Sequence, residues 1–230
     1  MDDTLFFVGD IQGCLGPLEE LLRVAGFNPD HHQLMPVGDT INRGPDNVGV
    51  LQLLQSLGAS PVLGNHEAKL LSVLENGDPT GFLKRETVGL DLVPHPRFQT
   101  FVDWIHTWPV YRRGDGWIQV HAGLHPSLPL GETPRRFLYT VRVCDKEGGV
   151  PSQWDGHNDT IPEGFFPWTR FYEGPDVVIY GHWARRGLVI TPLTRGLDTG
   201  CVYGLKLTGM WWPSGRLVQV AGQPPRAKES

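Results

Sequence analysis

The stretch Leu5-Phe6-Phe7-Val8-Gly9-Asp10-Ile11-Gln12-Gly13 decides how this chain is read. Four consecutive apolar residues suit a strand buried on both faces, the glycine turns the chain, and an aspartate follows at the strand's carboxyl end. The pattern returns four times. Leu34-Met35-Pro36-Val37 runs into Gly38-Asp39, and Pro61-Val62-Leu63 into Gly64-Asn65-His66-Glu67. Farther on, Ile118-Gln119-Val120 leads to His121, and Val177-Val178-Ile179-Tyr180-Gly181 leads to His182. Between the first three runs the apolar spacing becomes helical. Pro17 opens a predicted helix with Leu18, Leu21, Leu22 and Ala25 on one face, closed by Gly26. A second helix is expected over 46–57, with Val50, Leu51, Leu53, Leu54 and Leu57 inward, a strand over 60–63, and a third helix from near Glu67. Alternating strands and helices gather their polar loops at strand carboxyl ends, where such sheets place their sites.

Residues 77–97, punctuated by glycine and proline, are expected to wander, and 98–106 to form a short amphipathic helix on Phe98, Phe101, Val102 and Ile105. From residue 110 strands are predicted at 110–113, 117–121, 137–143, 177–180, 188–191, 201–208 and 216–220. Segment 144–176 reads as a long irregular loop near the substrate entrance, and Trp211 and Trp212 as structural residues of a late hairpin. One domain over 1–222 with a flexible tail at 223–230 is the expected organisation.

At 230 residues and 40% hydrophobic content the chain can bury a full core. Its net charge of -5, with no basic run, weighs against broad nucleic-acid binding. A small anionic substrate stays compatible, because bound cations reverse the local sign. Cys14, Cys144 and Cys201 are odd in number and far apart, so no disulfide framework is expected. The N-terminus carries no secretory pattern and no apolar run reaches membrane-spanning length, which predicts a soluble cytoplasmic protein without a membrane partner.

Taken singly, an aspartate or asparagine after a strand is usually a turn former or helix cap, and a strand-end histidine is usually structural. Asp10, Asp39, Asn65, His121 and His182, all at strand ends, form instead a candidate set of metal ligands. Mixed oxygen and imidazole donors suit Mn²⁺, Co²⁺, Ni²⁺, Fe²⁺ or Zn²⁺. Two such ions about 3.5–4 Å apart can clamp a phosphoryl group and activate water. His66 stands beside Asn65, able to protonate a leaving oxygen, and Arg43, four residues past Asp39, can fork onto phosphate oxygens. Trp154, Trp168, Tyr172 and Trp183 can each stack a base, although packing is the commoner role for any one of them. Asp198 is read as ordering its loop, and His31, His32, His95, His106, His125 and His157 as non-ligating.

The set resembles the calcineurin-like metallophosphoesterases. The matching pieces are Gly9-Asp10-Ile11-Gln12-Gly13, Gly38-Asp39 through Arg43-Gly44, Gly64-Asn65-His66-Glu67, Val120-His121-Ala122-Gly123 and Tyr180-Gly181-His182. The resemblance implies an α+β fold of four layers, a β-sandwich of mixed sheets flanked by helices. It implies two divalent metal ions, manganese foremost, bridged by Asp39, with Asp10 on the first and Asn65, His121 and His182 on the second. His66 would be the general acid and Arg43 a phosphate ligand. Gln12 occupies the place of a usual metal-binding histidine; its carbonyl oxygen can ligate, or hydrogen-bond a metal-bound water.

Within the group the chain is most similar to the symmetrical bis(5'-nucleosyl)-tetraphosphatases, some of which carry that glutamine. The similarity lies in Arg43-Gly44-Pro45, Gly181-His182-Trp183-Ala184 and Leu197-Asp198-Thr199-Gly200-Cys201-Val202-Tyr203-Gly204. Arg142-Val143-Cys144 resembles their Arg-x-Cys element, which makes Arg142 a second phosphate-binding candidate. Segment 124–176 is shorter than their helical insertion. Asn42 stands where the serine/threonine phosphatase branch has an aspartate. The implied function is metal-dependent hydrolysis of dinucleoside tetraphosphates to nucleoside diphosphates, with a small-molecule nucleotide as partner. The alternatives are a serine/threonine or tyrosine phosphoprotein phosphatase, with a phosphoprotein partner, and a non-catalytic nucleotide-sensing or scaffold protein.

Overall fold

A computed structural model describes residues 3–78, 80–154, 156 and 160–223. Its first half runs β1 (Leu5–Val8), α1 (Leu15–Ala25), β2 (Gln33–Pro36), α2 (Asn47–Ser56), α3 (Asn65–Asn76), α4 (Phe82–Arg85) and α5 (Phe98–His106). There follow β3 (Tyr111–Gly114), β4 (Trp117–Val120), α6 (Arg135–Thr140), β5 (Val143–Cys144) and β6 (Phe166–Pro167). The chain ends in β7 (Val177–Tyr180), β8 (Val189–Ile190), β9 (Thr194–Gly196), β10 (Lys206–Trp212) and β11 (Leu217–Ala221).

Two mixed sheets form the centre. One has the order β11-β10-β1-β2, parallel only between β1 and β2. The other has the order β3-β4-β7-β9-β8, with β4, β7 and β9 parallel and an antiparallel strand on each edge. Successive side chains of a strand point to opposite faces, and this alternation assigns the layers. Phe6 and Val8 pack with Leu18, Leu21, Val50 and Leu54 of α1 and α2. Phe7 lies on the other face, with Met35 and Met210 against Trp117 and Ile179 of the second sheet. Ile118, Val120, Val178 and Tyr180 turn outward to Leu70, Phe101, Ile105 and Leu138 of α3, α5 and α6. The result is helix, sheet, sheet, helix. Each fully buried Phe, Leu or Ile in these layers contributes roughly 1.5–3 kcal/mol. Gln119 bridges the sheets, its Nε2 donating to Pro36 O at 2.6 Å.

Three expected strands are corrected. Segment 60–63 is extended but not a strand: Ser60 and Val62 donate to Leu34 O and Pro36 O at 2.8 and 3.3 Å, while Pro61 between them has no N–H to donate. Segment 137–143 is mostly α6, because Pro134 opens a helical turn that buries only Leu138, leaving a strand at 143–144 alone. Segment 201–208 starts as a 3-10 turn at Cys201–Tyr203 between left-handed Gly200 and Gly204, and the strand begins at Lys206 and runs through Trp211 and Trp212.

Helix α1 starts two residues ahead of Pro17 and stops at Gly26 (φ 70°). Helix α3 starts at Asn65, since the Glu67 carboxylate accepts from Gly64 N at 3.0 Å and closes the first turn. Segment 77–97 holds α4 and a π-helical turn over Val88–Leu92. Within 144–176, β5 pairs with β6. His157 and tail residues 224–230 lie outside the described residues. Among the described residues no helix is long and apolar enough to cross a membrane.

Candidate active site

Five parallel strands from two sheets end on the same rim of the sandwich. β1 delivers Asp10 and Gln12, β2 delivers Asp39, β4 delivers His121, β7 delivers His182 and β9 delivers Asp198. The extended segment beside β2 delivers Asn65 and His66. Cross-links fix the loops: Gln12 N donates to Asp39 O at 2.8 Å, and Gly181 N to His121 O at 2.8 Å. Glu67, fully buried, accepts from Gly64 N, Asp39 N, Thr40 N, Thr40 Oγ1 and Ile41 N at 2.7–3.2 Å. It ties the N-terminus of α3 to the loop after β2.

Ligand atoms of Asp39, His121 and His182 lie within 4.8 Å of one another. His121 Nε2 is 3.4 Å from Asp39 Oδ1. Asn65 Oδ1 is 3.0 Å from His121 Nε2 and 2.7 Å from His182 Nδ1. The far nitrogen of each ring donates to a backbone carbonyl, His121 Nδ1 to Val37 O and His182 Nε2 to Thr140 O, both at 3.0 Å. In the neutral rings those two bonds leave a lone pair of each facing Asn65 Oδ1. At His121 burial opposes the charged form, but Asp39 outweighs it and favours a second proton, whose place a cation takes. Three electron-pair donors facing one another beside a carboxylate are what a divalent cation satisfies. The donor set fits the metal.

The buried charges agree. Burial, then the charges of Asp198 and Asp39, push Asp10 well above the usual carboxylate range. Burial and Asp39 likewise push Asp198 up to about 6 and Glu67 up to about 7. Asp39 is the exception: burial opposes its ionised form, but His121 and His66 outweigh it and hold the carboxyl below its ordinary value. Burial, then His121 and Arg142, keep His182 neutral, the form that ligates metal. Asp10, Asp39 and Asp198 crowd three buried carboxylates into one place, which cations relieve.

Gln12, Asp39, Asn42, Arg43 and His182 have φ of 48, 47, 79, 66 and 72°. Among the described residues these are the non-glycines in the left-handed region, and all five belong to the site loops. Each such backbone costs about 1–3 kcal/mol and persists where the surroundings impose it. Gly181 is a matter of space: a Cβ there would fall 1.9 Å from Asp10 Oδ1, which lets that carboxylate accept from His182 N at 3.1 Å.

The His66 ring lies between Asn42 and Asp39. Asn42 Nδ2 donates to His66 Nδ1 at 2.7 Å, so the neutral ring carries its proton on Nε2, 3.6 Å from Asp39 Oδ2. A cavity of about 460 Å³ opens over this centre and is lined by Gln12, Asp39, Arg43, Asn65, His66, Arg142 and His182 among others. Every expected site residue except Asp10 and His121 lines it; Asp10 lies behind His182, and His121 is fully buried against Asp39.

Sequence reasoning undervalued Asp198, which lines the cavity. It gave Glu67 no role, although Glu67 sits three residues after Gly64, the spacing of a helix cap. It gave Tyr203, within the Leu197–Gly204 element, no role of its own, although its hydroxyl accepts from Arg43 Nη1, and it missed Leu205, which no local pattern marks. Of the four candidate stacking aromatics, Trp183 lines the cavity and Trp154 an adjoining one, whereas Trp168 packs in the core on Tyr172 and Tyr180. His125 accepts from Ser127 N and Leu128 N and orders its own loop.

The pattern of the calcineurin-like phosphoesterase family matches residues 4–186. A symmetrical bis(5'-nucleosyl)-tetraphosphatase of Ralstonia nicotianae is 32% identical over 93% of this chain and 92% of its own. The protein of that name from Dechloromonas aromatica is 29% identical, covering 96% of this chain and 97% of its own. That alignment runs over 273 positions against 230 residues here, so the relative carries segments this chain lacks. The crystal structure of a provisionally named diadenosine tetraphosphatase superposes with a TM-score of 0.81 at 35% identity, over 96% of this chain and 94% of that one. Metal-ready donors at the rim of a four-layer sandwich and the match over most of the chain lead to one conclusion: this protein belongs to the calcineurin-like phosphoesterase family and is a metal-dependent phosphoester hydrolase.

Proposed function

We propose that the chain hydrolyses dinucleoside tetraphosphates symmetrically, releasing two nucleoside diphosphates, with two divalent cations of which manganese is the leading candidate. One observation carries the reading: in a chain of net charge -5, Arg43 and Arg142 line the same cavity as Asp39, Asn65 and His182, so cation ligands and phosphate ligands share one space. The relatives bearing the tetraphosphatase name support it.

Asp10, Gln12 and Asp39 would hold one cation and Asp39, Asn65, His121 and His182 the other; bound there, the pair supplies charge stabilisation at phosphorus and a nucleophile from water at neutral pH. The remaining steps belong to side chains. Arg43 and Arg142 take the phosphate oxygens in forked hydrogen bonds. Tyr203 accepts from Arg43 and its ring lies 5.7 Å from the guanidinium, which limits where that charge can go. For the step His66 is protonated on both nitrogens, with the Asn42 amide turned so that its otherwise unpartnered Oδ1 accepts from Nδ1. His66 then gives its Nε2 proton to the departing phosphate oxygen and returns to the neutral ring, so the leaving nucleoside diphosphate separates without an added charge. Asn42 keeps the ring turned toward the cavity. It does this without the charge an aspartate would bring, which suits a nucleoside-diphosphate leaving group, a weaker base than a serine alkoxide or a tyrosine phenolate.

A manganese-supplemented panel of diadenosine tetraphosphate, nucleoside triphosphates and phosphopeptides tests the proposal. Preferred release of ADP from the first substrate is expected. Preferential dephosphorylation of the peptides would replace this reading with the phosphoprotein one.

A further inference from the structure

A second hollow of about 270 Å³ adjoins the catalytic cavity. Trp154, Ile161 and Arg186 line it, together with Gly156, Trp183 and Arg185, which it shares with the cavity. Its volume is below the roughly 300 Å³ at which a pocket takes a small ligand alone, so it serves as an extension of the larger space. Its walls have a definite chemistry. The indoles of Trp154 and Trp183 stand at 80° with centroids 5.8 Å apart, making a corner in which a flat ring can stack on one indole and meet the edge of the other. The Arg186 guanidinium lies 5.3 Å over the Trp183 ring and restrains it. Arg185 belongs to both hollows, at the passage between them.

Gly156 keeps that passage open. Its φ is 76°, and a Cβ there would come within 2.7 Å of Arg142 Nη1, so a side chain would crowd the phosphate end of the cavity. An aromatic corner joined through an arginine to a phosphate-binding centre has the order of parts of a nucleotide: base, outer phosphate, reacting phosphate. The other apolar wall of the cavity, Tyr203 and Leu205, is an open face, 51% and 60% exposed.

We infer that Trp154, Trp183, Arg185 and Arg186 form a nucleotide subsite that holds the base and outer phosphate of one half of the substrate. The inference rests on the dinucleotide reading above and deepens it. One half of the dinucleotide sits in the indole corner while the other lies on the open Tyr203 face, so a symmetrical substrate is held unsymmetrically.

The test uses Trp154→Ala, Trp154→Phe, Arg185→Ala and the unaltered enzyme, because Trp183 adjoins His182. Each is assayed with diadenosine tetraphosphate and with p-nitrophenyl phosphate, which has no base or outer phosphate, after thermal melting has shown that it folds. For Trp154→Ala the KM for the dinucleotide rises about five- to a hundredfold, as loss of one stacked base produces, with kcat and p-nitrophenyl phosphate turnover little changed. Trp154→Phe recovers most of the affinity, and Arg185→Ala raises KM about tenfold. Unchanged KM in folded Trp154→Ala and Arg185→Ala, or equal losses on both substrates, overturns the subsite while leaving the substrate reading intact. If Trp154→Ala does not fold, Arg185→Ala decides by the same criteria. Absence of dinucleotide hydrolysis by the unaltered enzyme overturns the substrate reading, and the subsite with it.

Discussion

His66 has one ring nitrogen held by Asn42 and the other turned to the cavity, so its role and that of the metal ligands separate by substitution. His66→Ala lowers turnover about 10²–10⁴-fold, the usual worth of a general acid, while elemental analysis finds the metal content unchanged. Normal turnover in the metal-loaded variant would remove His66 from the mechanism. Asp39→Ala takes away the proposed bridging carboxylate, and both metal content and activity are lost together. Asn42→Ala leaves the ring free to turn; kcat falls about tenfold with KM unchanged, and an equal rise in KM would show that Asn42 acts on binding instead. Single residues were legible in proportion to how sharply the sequence punctuates them. Asp10, Asp39, Asn65 and His182 follow directly on a glycine that ends an apolar run. Asp198 follows Leu197 and a strand of three residues, too short to announce itself, and Tyr203 reaches the cavity only through the fold of its 3-10 turn.

At the scale of elements, the loops between strand and helix carry the strain, and two positions hold them. Glu67 receives five hydrogen bonds from the loop after β2 and the start of α3. Glu67→Ala leaves four buried backbone N–H groups without a partner, and urea denaturation of the metal-free protein should show a loss of at least about 3 kcal/mol. A loss below about 1 kcal/mol would mean that these donors find other acceptors. Gly181→Ala pushes a methyl into Asp10 Oδ1 and displaces that carboxylate; metal content falls toward one ion per chain, whereas two retained ions would take Asp10 out of the ligand set. α1 and α5 were legible because one face is apolar and the other is not, and β1 because its short run is apolar on both faces. α6 was misread because Phe137, Leu138 and Tyr139 give no clear period in six residues, and its burial is decided by Ala122 N donating to Leu138 O. Segment 60–63 has the composition of a strand but not the donors.

For the whole molecule, the four-layer order was implied by the family resemblance, and in the structure alternation along β1, β4 and β7 builds it, each strand facing a helical layer with one set of residues and the other sheet with the next. What alternation could not supply was which strands share a sheet, since β1 pairs with β10 across 200 residues of chain. That pairing sets Tyr203, just ahead of β10, beside a site whose other members lie far away in sequence, as the β7–β9 pairing does for Asp198. Because the rim concentrates buried carboxylates, cations stabilise the folded state: melting temperature rises with manganese concentration, and 100-fold excess over the dissociation constant adds about 2.7 kcal/mol. A melting curve indifferent to manganese and to chelator would contradict a metal centre at this rim. The position of attack on the phosphate chain separates symmetrical hydrolysis from every other cleavage. Hydrolysis of diadenosine tetraphosphate in ¹⁸O-enriched water, followed by mass spectrometry, reads it directly. ADP as the sole nucleotide product, with half the molecules carrying one ¹⁸O on the terminal phosphate, is the predicted result; ATP together with AMP would contradict it.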